Sequence, residues 1–435
     1  MTAIAVAGQL YLSGKAQRAL IVAPLSILGV WREEFAKYAD FPHSLAVLTG
    51  TAAKKQQALQ QPPGEGLQVV IINYESAWRM EKELLAWHAD LIIADEGHKI
   101  KTHNIAASKA MHRLGANACY RLLLTGTVIT NKAIDVFSQY KFLNPSIFGN
   151  SFYAFRNRYF DMVGYGGYTP VLKRHMEPEL TERLHSIAYR ATKAQCLDLP
   201  AITEMNWPVA LEPSAAATYR TLVKESYAEL DVGAITATNV LTKLLRLSQL
   251  TGGFLRDEAG MDHAISRAKM EALEDIVDGT AQEGQKLVVI ARFIPELNAI
   301  CKMLEKKGIQ YARISGEVKD RELQVQAFQH NPSVTVFVGQ VATAGLGITL
   351  TAASTLVFYS MDYSMSNFEQ TKARIHRVGQ KNACTYIYLT ATGTVDEKVL
   401  LALREKADLA RILVDDYRAG RNPYETTEAK NAATI

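Results

Sequence analysis

Only four cysteines occur in 435 residues, Cys119, Cys196, Cys301 and Cys384, and they lie far apart with no CxxC pair and no clustered histidines. That spacing excludes a disulfide framework and a zinc site, and it points to buried free thiols in a reducing, cytoplasmic compartment. No run of about 18 apolar residues is present to cross a bilayer, so a membrane partner is not expected. The apolar opening MTAIAVAGQLYLSG lacks the positive leader of a signal peptide, because the first basic residue is Lys15. It reads as a helix that begins abruptly. Charge of one sign is missing too: 48 Lys+Arg stand against 44 Asp+Glu, a net +4, which permits an anionic partner without demanding one. A nucleic-acid partner must therefore be argued from motifs. With 48% apolar and 21% charged residues the chain is not disordered, and its length gives room for two or three cores.

What is present is rhythm. Short apolar, β-branched runs alternate with amphipathic stretches, the pattern of α/β domains whose parallel sheet is covered on both faces by crossover helices. The front half offers ALIVAP (19–24), LAVLTG (45–50), VVIINYE (69–75), LIIADE (91–96) and RLLLTGT (121–127). From about 151 to 267 helical patterns such as SAAATYRTLVKESYAEL take over, and then KLVVIARF (286–293), YARISG (311–316), VTVFVGQ (334–340), TLVFYS (355–360) and TYIYLT (385–390) resume the alternation. The expected organisation is a first α/β lobe over 1–150, a largely helical bridge over 151–267, a second α/β lobe over 268–420 and a polar tail over 421–435. Parallel sheets bind ligands at the carboxyl ends of their strands, and the chemistry-bearing motifs fall at those ends.

LIIADEGH (91–98) puts Asp95 and Glu96 at the tip of a buried strand. In nucleotide hydrolysis one such carboxylate holds a water-coordinated Mg²⁺ and the other orients and deprotonates the attacking water; Asp95 takes the first role here and Glu96 the second. In isolation the pair would serve equally well as a helix cap. RLLLTGTVITN carries Thr125, Gly126 and Thr127 at another strand end, followed by Asn131. These small hydroxyl groups can relay hydrogen bonds from a phosphate site or simply cap a turn. VATAGLGITLTAAS supplies Gly345 and Gly347 where backbone approaches another surface closely. In NFEQTKARIHRVGQ, Gln370, Arg374 and Arg377 are spaced four and three apart, as on one side of a helix. Two guanidiniums there can neutralise a transferring phosphoryl group, though the same spacing also suits a solvated basic face.

Taken in order, APLSILGVWREEFAKY, VVIINYESAW, LIIADEGHKIK, LLLTGTVITN, TAGLGITLTAAS and QTKARIHRVGQ resemble the superfamily-two helicase motor of DEAD/DEAH-like type, specifically its Swi/Snf-like branch. The resemblance runs from about residue 19 to 400 and includes the connecting stretch YRATKAQCLDLP. It implies two RecA-like lobes closing on ATP and Mg²⁺, with nucleic-acid backbone tracked across them and duplex DNA preferred to RNA. Carried over by position, it assigns Asp95 and Glu96 to metal and water, Thr125 and Thr127 to coupling, Gln370, Arg374 and Arg377 to the phosphates, and Gly345 and Gly347 to the loop between nucleotide and nucleic acid. Pro24 and Ser26, Asn73 and Tyr74, and Ser315 and Gly316 match turns that touch the phosphodiester backbone. Such contacts position a motor without reading sequence, so weak sequence preference and marked salt dependence follow. Departures are few: Gly97 stands where Ala or Ser is usual, Val128 where Pro is common, and Lys372-Ala373 where an acid often precedes the arginine.

One element is missing. A P-loop needs GxxxxGK[ST], so that backbone N–H groups wrap the phosphates while Lys and a hydroxyl add charge and a metal ligand. No such string occurs. At Gly14-Lys15, Gln9 replaces the first Gly and Ala16 the hydroxyl. Because the opening helix resembles the one that follows the family's P-loop, the expectation is a chain that begins just after that motif, with impaired turnover as it stands. The alternative is a non-hydrolysing DNA-binding module on the same two lobes; an unrelated two-domain α/β enzyme is a remoter one. The lack of accessory modules favours a phage or bacterial source.

Overall fold

Ile21, Ile71 and Ile93 lie in register across three neighbouring strands, and all three are fully buried. They sit in the computed structural model of the chain, which describes residues 1–410 apart from 63, 127, 130, 131, 164–168, 192–195, 232–236, 258, 319 and 342–346. The chain divides into one unit within Met1–Arg190 and another within Ala191–Ala407.

The first unit begins with helix α1 (Thr2–Leu12), β1 (Arg18–Ala23), α2 (Leu28–Tyr38), β2 (His43–Val47), β3 (Leu67–Asn73) and β4 (Leu91–Asp95). It continues with α3 (Ala106–Asn117), β5 (Tyr120–Leu124), α4 (Val136–Leu143) and α5 (Phe152–Tyr159), and the short pair β6 (Phe160–Val163) and β7 (Thr169–Leu172). The sheet order is β2-β3-β1-β4-β5, all parallel. Successive strand side chains alternate faces. Ala19, Ile21, Val69, Ile71 and Ile93 therefore meet Ile4 and Ala7 of α1 and Trp31 and Phe35 of α2. Leu20, Val22, Val70, Ile72 and Ile92 meet Met111 and Leu114 of α3 on the other side. Full burial of each such aliphatic group contributes roughly 1.5–3 kcal/mol, which is why the strands read as continuous apolar runs.

The second unit has β8 (Ile202–Val209), α6 (Pro213–Asp231), α7 (Ala237–Thr251), β9 (Phe254–Arg256), β10 (Asp262–Ala264) and α8 (Ala268–Gln282). Then come β11 (Leu287–Ala291), α9 (Ile294–Lys306), β12 (Gln310–Ile314), β13 (Val334–Gln340), β14 (Thr355–Phe358), α10 (Met365–Lys372), β15 (Cys384–Ala391) and α11 (Val395–Ala410). The order β12-β13-β11-β14-β15-β8 is again parallel throughout.

Two expectations change. The segment 151–267, expected to be a largely helical bridge, also contains strands, and its parts join the two units separately. Phe155, Tyr159 and Phe160 close a core with Phe137 and Tyr140 in the first unit, whereas β8 joins the second sheet as an edge strand beside β15. Pairing on one side only leaves β8 largely exposed, so it lacks the apolar run that betrays a buried strand. The cysteines are not all buried either: Cys301 and Cys384 are, but Cys119 and Cys196 are exposed. Among the described residues no helix is long and apolar enough to cross a membrane.

Buried charge ties the second unit together. Lys269 on α8 meets Asp396 on α11 at 2.6 Å, and Asp396 also accepts from Thr251 Oγ1 and from the Ala391 amide. Glu296, 1% exposed, accepts from the Arg292 and Phe293 amides and from Ser360 Oγ through one oxygen. Burial pushes this carboxyl from 4.5 up to about 7. Between those values the folded unit keeps a proton that the unfolded chain has released. The stability tied to Glu296 is therefore full below about 4.5 and is lost as pH rises through about 7. Glu296→Gln should flatten that fall in melting temperature across the range; an unchanged pH profile would assign the slope to other groups.

Candidate functional site

The parallel register delivers the motif residues of the first unit to one edge of its sheet. Ala23 pairs with Asn73, Val22 with Ala94, and Asp95 with Leu124. Pro24, Tyr74, Glu96 and Thr125 thus leave adjacent strands at the same end.

Asp95 is held from three directions. Its Oδ2 accepts from Trp31 Nε1 at 2.9 Å, its Oδ1 from the Glu96 amide at 2.9 Å, and its carbonyl from Tyr74 Oη at 2.7 Å. Burial raises its pKa from the ordinary 3.8, against the lowering effect of the Trp31 bond. A divalent cation would favour the ionised form and reverse that cost. Each carboxylate oxygen spends one lone pair on these bonds and retains another, so the group fits a water-bridged Mg²⁺.

Glu96 has φ 51°, one of two non-glycine residues in the left-handed region among those described. Strain of this kind is of order 1–3 kcal/mol and persists where the surroundings impose it. Glu96 Oε2 is buried 3.1 Å from His98 Nδ1, while the side chain as a whole is 28% exposed. The departure at Gly97 has a local reason: a Cβ there would come within 2.3 Å of Leu123 Cγ. Leu on β5 and Gly after the acidic pair are therefore matched in size.

Thr125 and Gly126 follow β5, and the Gly126 carbonyl accepts from Arg190 Nη1 at 3.3 Å. Thr127 and Asn131 lie outside the described residues, and of Ser26 only the backbone is described, in a short turn after Pro24. Asn73 and Tyr74, expected to touch nucleic acid, are turned inward. Asn73 is 7% exposed and donates to Glu75 Oε2 at 2.8 Å, and Tyr74 is 5% exposed. Burial holds the Tyr74 hydroxyl well above its usual 10, so it remains a donor to the strand that carries Asp95.

In the second unit, Ser315 and Gly316 follow β12. Ser315 is fully buried, its hydroxyl without a hydrogen-bond partner, and the Gly316 amide reaches Gln340 Oε1 at 3.4 Å. Only backbone at this turn can face a ligand. Gly347 has φ 71°, a left-handed backbone that favours glycine; Gly345 lies outside the described residues.

The arginine element differs from expectation. Gln370 is on α10, but that helix ends at Lys372, and Arg374 and Arg377 sit in the turns that follow. The turns are pinned by contacts distant in sequence. Leu350 N donates to the Arg374 carbonyl at 3.0 Å, and Arg377 Nη1 donates to the Ile348 carbonyl at 3.4 Å. Lys372 pairs with Glu204 on β8, and His376 Nε2 meets the Pro200 carbonyl at 2.9 Å. The departure at Lys372 thus has a partner supplied by the strand that enters the unit. Gln380, 8% exposed, donates to the Ala353 and Ile375 carbonyls at 2.8 and 3.1 Å and accepts from the Lys381 and Asn382 amides. Trp31, Glu204 and Gln380 have no assigned role in the motif reading. Trp31 and Gln380 lie inside quoted motif strings, whereas Glu204 left no such local signal.

The chain matches the SNF2-related domain over residues 1–253 and the helicase conserved C-terminal domain over 268–379. The DNA repair and recombination protein RDH54 of Saccharomyces cerevisiae is 27% identical over 441 residues, covering 93% of this chain and 47% of its own length. The chromodomain-helicase-DNA-binding protein 1-like of Danio rerio is 25% identical, covering 92% and 39%. The chain spans less than half the length of these relatives. A solved structure, the Sulfolobus solfataricus SWI2/SNF2 ATPase core in complex with dsDNA, aligns over 95% of this chain and 85% of its own at 26% identity and a TM-score of 0.42.

Proposed function

The chain belongs to the SNF2-related family, and on that premise we propose that it forms the core of an ATP-driven motor that moves along duplex DNA. The observation that carries this reading is the strand tip Asp95-Glu96, where one carboxylate is fixed by Trp31 Nε1 and the Glu96 amide and the next, on a left-handed backbone, lies beside His98 and stays partly exposed. Nucleotide hydrolysis needs that division of labour. Asp95 would hold Mg²⁺ through water, which supplies charge to the phosphates when bound. Glu96 takes the proton of the attacking water, Arg374 and Arg377 balance charge on the phosphoryl group with Gln370 beside them, and Thr125, Gly126 and Gly347 carry the response toward DNA. Pro24 and Ser26, with the backbone at Asn73, Tyr74, Ser315 and Gly316, meet the phosphodiester chain.

A second reading has its own support. The 435 residues contain no GxxxxGK[ST] string, so on their own they bind DNA and turn ATP over poorly. Both readings are tested by comparing the 435-residue chain with one that carries a phosphate-binding loop ahead of residue 1. In the longer chain, duplex DNA should accelerate ATP hydrolysis. The 435-residue chain should shift DNA in a gel, lose that binding steeply with salt, and hydrolyse ATP no faster than its Arg377→Ala variant. A longer chain whose turnover ignores DNA would sink the motor reading.

A further inference from the structure

Between Gly97 and Phe160 the chain has nine Lys or Arg residues and a single acid, Asp135, whereas the whole chain has 48 against 44. Some of these cations are committed: Arg113 pairs with Glu81 and Arg158 with Glu179. Others gather round an aromatic group on the surface of the first unit. His103 stacks on Phe152 with ring centroids 3.7 Å apart and planes 15° apart. Phe152 meets Tyr153 edge-on at 5.8 Å, and Arg156 lies 5.1 Å from the centre of the Tyr153 ring. The Arg156 guanidinium is oriented by two bonds to Asn157 Oδ1. Lys109 and Lys141 both act on His103, which partial burial and these two charges hold below its usual 6.5. Lys141 is steadied by the Asn150 carbonyl at 2.9 Å.

Tyr153 is the unusual member. It is 63% exposed on α5, at the rim of a core that buries Phe155 and Tyr159 of the same helix. An exposed ring beside a guanidinium, with Lys109 and Lys141 close to the stacked His103, has the chemistry of a stacking platform for nucleic acid. A duplex keeps its base faces covered by their neighbours, so it offers this ring little; an unpaired base offers a free π face. We propose that this surface takes a single-stranded stretch of nucleic acid, with Tyr153 stacked on a base and Arg156, Lys109 and Lys141 on the flanking phosphates. None of these residues belongs to the turns assigned to duplex DNA, so the two contacts are separable.

The test is fluorescence anisotropy with three labelled probes: an oligothymidylate, a blunt duplex, and the same duplex with a single-stranded tail. In the wild-type chain the tail should tighten binding relative to the blunt duplex. Tyr153→Ala should weaken oligothymidylate binding about tenfold and remove the gain from the tail, as expected for loss of one base stack. Blunt-duplex affinity should be unchanged, and Tyr153→Phe should bind like wild type. Lys109→Gln with Arg156→Gln should reduce the salt slope for the single strand by roughly 0.7 per cation. Each variant should melt as the wild type does, because these side chains lie outside the core. The proposal is overturned if the tail adds nothing, or if Tyr153→Ala weakens blunt duplex and single strand alike. Single-strand binding without any duplex binding would instead sink the duplex-motor reading and leave this one standing.

Discussion

Replacing Glu96 by Gln, in a chain that carries a phosphate-binding loop ahead of residue 1, is expected to lower DNA-stimulated ATP turnover by about 10²- to 10⁴-fold while leaving DNA affinity and melting temperature as they were. Gln keeps the size of the side chain and its ability to orient a water molecule, but it cannot accept the proton. The backbone at this position has φ 51°, and Gln has the same Cβ as Glu, so the substitution adds no new strain. The bonds that hold the strand tip, from Trp31, Tyr74 and the Glu96 amide to Asp95, do not use the Glu96 side chain. Steady-state hydrolysis with saturating duplex, read beside a gel shift, decides the matter. Turnover within a few-fold of wild type would remove Glu96 from the chemistry.

The second large effect is on stability. Gln380→Leu should lower the melting temperature of the second unit by about 10 °C, corresponding to roughly 3 kcal/mol in a domain of this size. The reason is what the amide leaves behind. The Ala353 and Ile375 carbonyls lose their donor in a buried place, at roughly 1–3 kcal/mol for each unsatisfied group, whereas the Lys381 and Asn382 amides lie on exposed residues and can turn to water. The same amide joins the loop at 351–353 to the turn that carries Arg374 and Arg377. A lasting loss of ATP turnover at temperatures where the variant is still folded is therefore expected as well. Calorimetry that resolves the second unit's transition would expose the claim: a midpoint within a degree of wild type means that the turn is held by its other contacts.

Much of this architecture was open to inspection in the linear chain. Runs such as ALIVAP and LIIADE lie in central strands because both faces of a parallel sheet are covered, and such burial writes an unbroken apolar word into the sequence. Edge strand β8 has one neighbour and a wet face, and its residues, ITEMNWPV, spell nothing so plain. The arginine spacing suggested a helix because four-and-three periodicity is all that local reading can use. The early end of α10 is imposed by contacts from Pro200, Glu204, Ile348 and Ala353, none of them near in sequence. Asn73 and Tyr74 were matched to a nucleic-acid turn by position, yet their side chains serve the interior.

Sequence alone determined which chemistry the protein carries, an acidic pair, a hydroxyl turn and a guanidinium pair in fixed order, and that the first two fall at the ends of parallel strands. Those properties are local: a strand's burial and a motif's spacing are written in adjacent letters. Tertiary structure alone decided how each group is held, from Trp31 and Tyr74 around Asp95 to Gln380 beneath the arginines, and that Tyr153 stands in a cluster of cations on the surface. Hydrogen bonds and surface fields join residues that are far apart along the chain, and no periodicity in the sequence records such pairings.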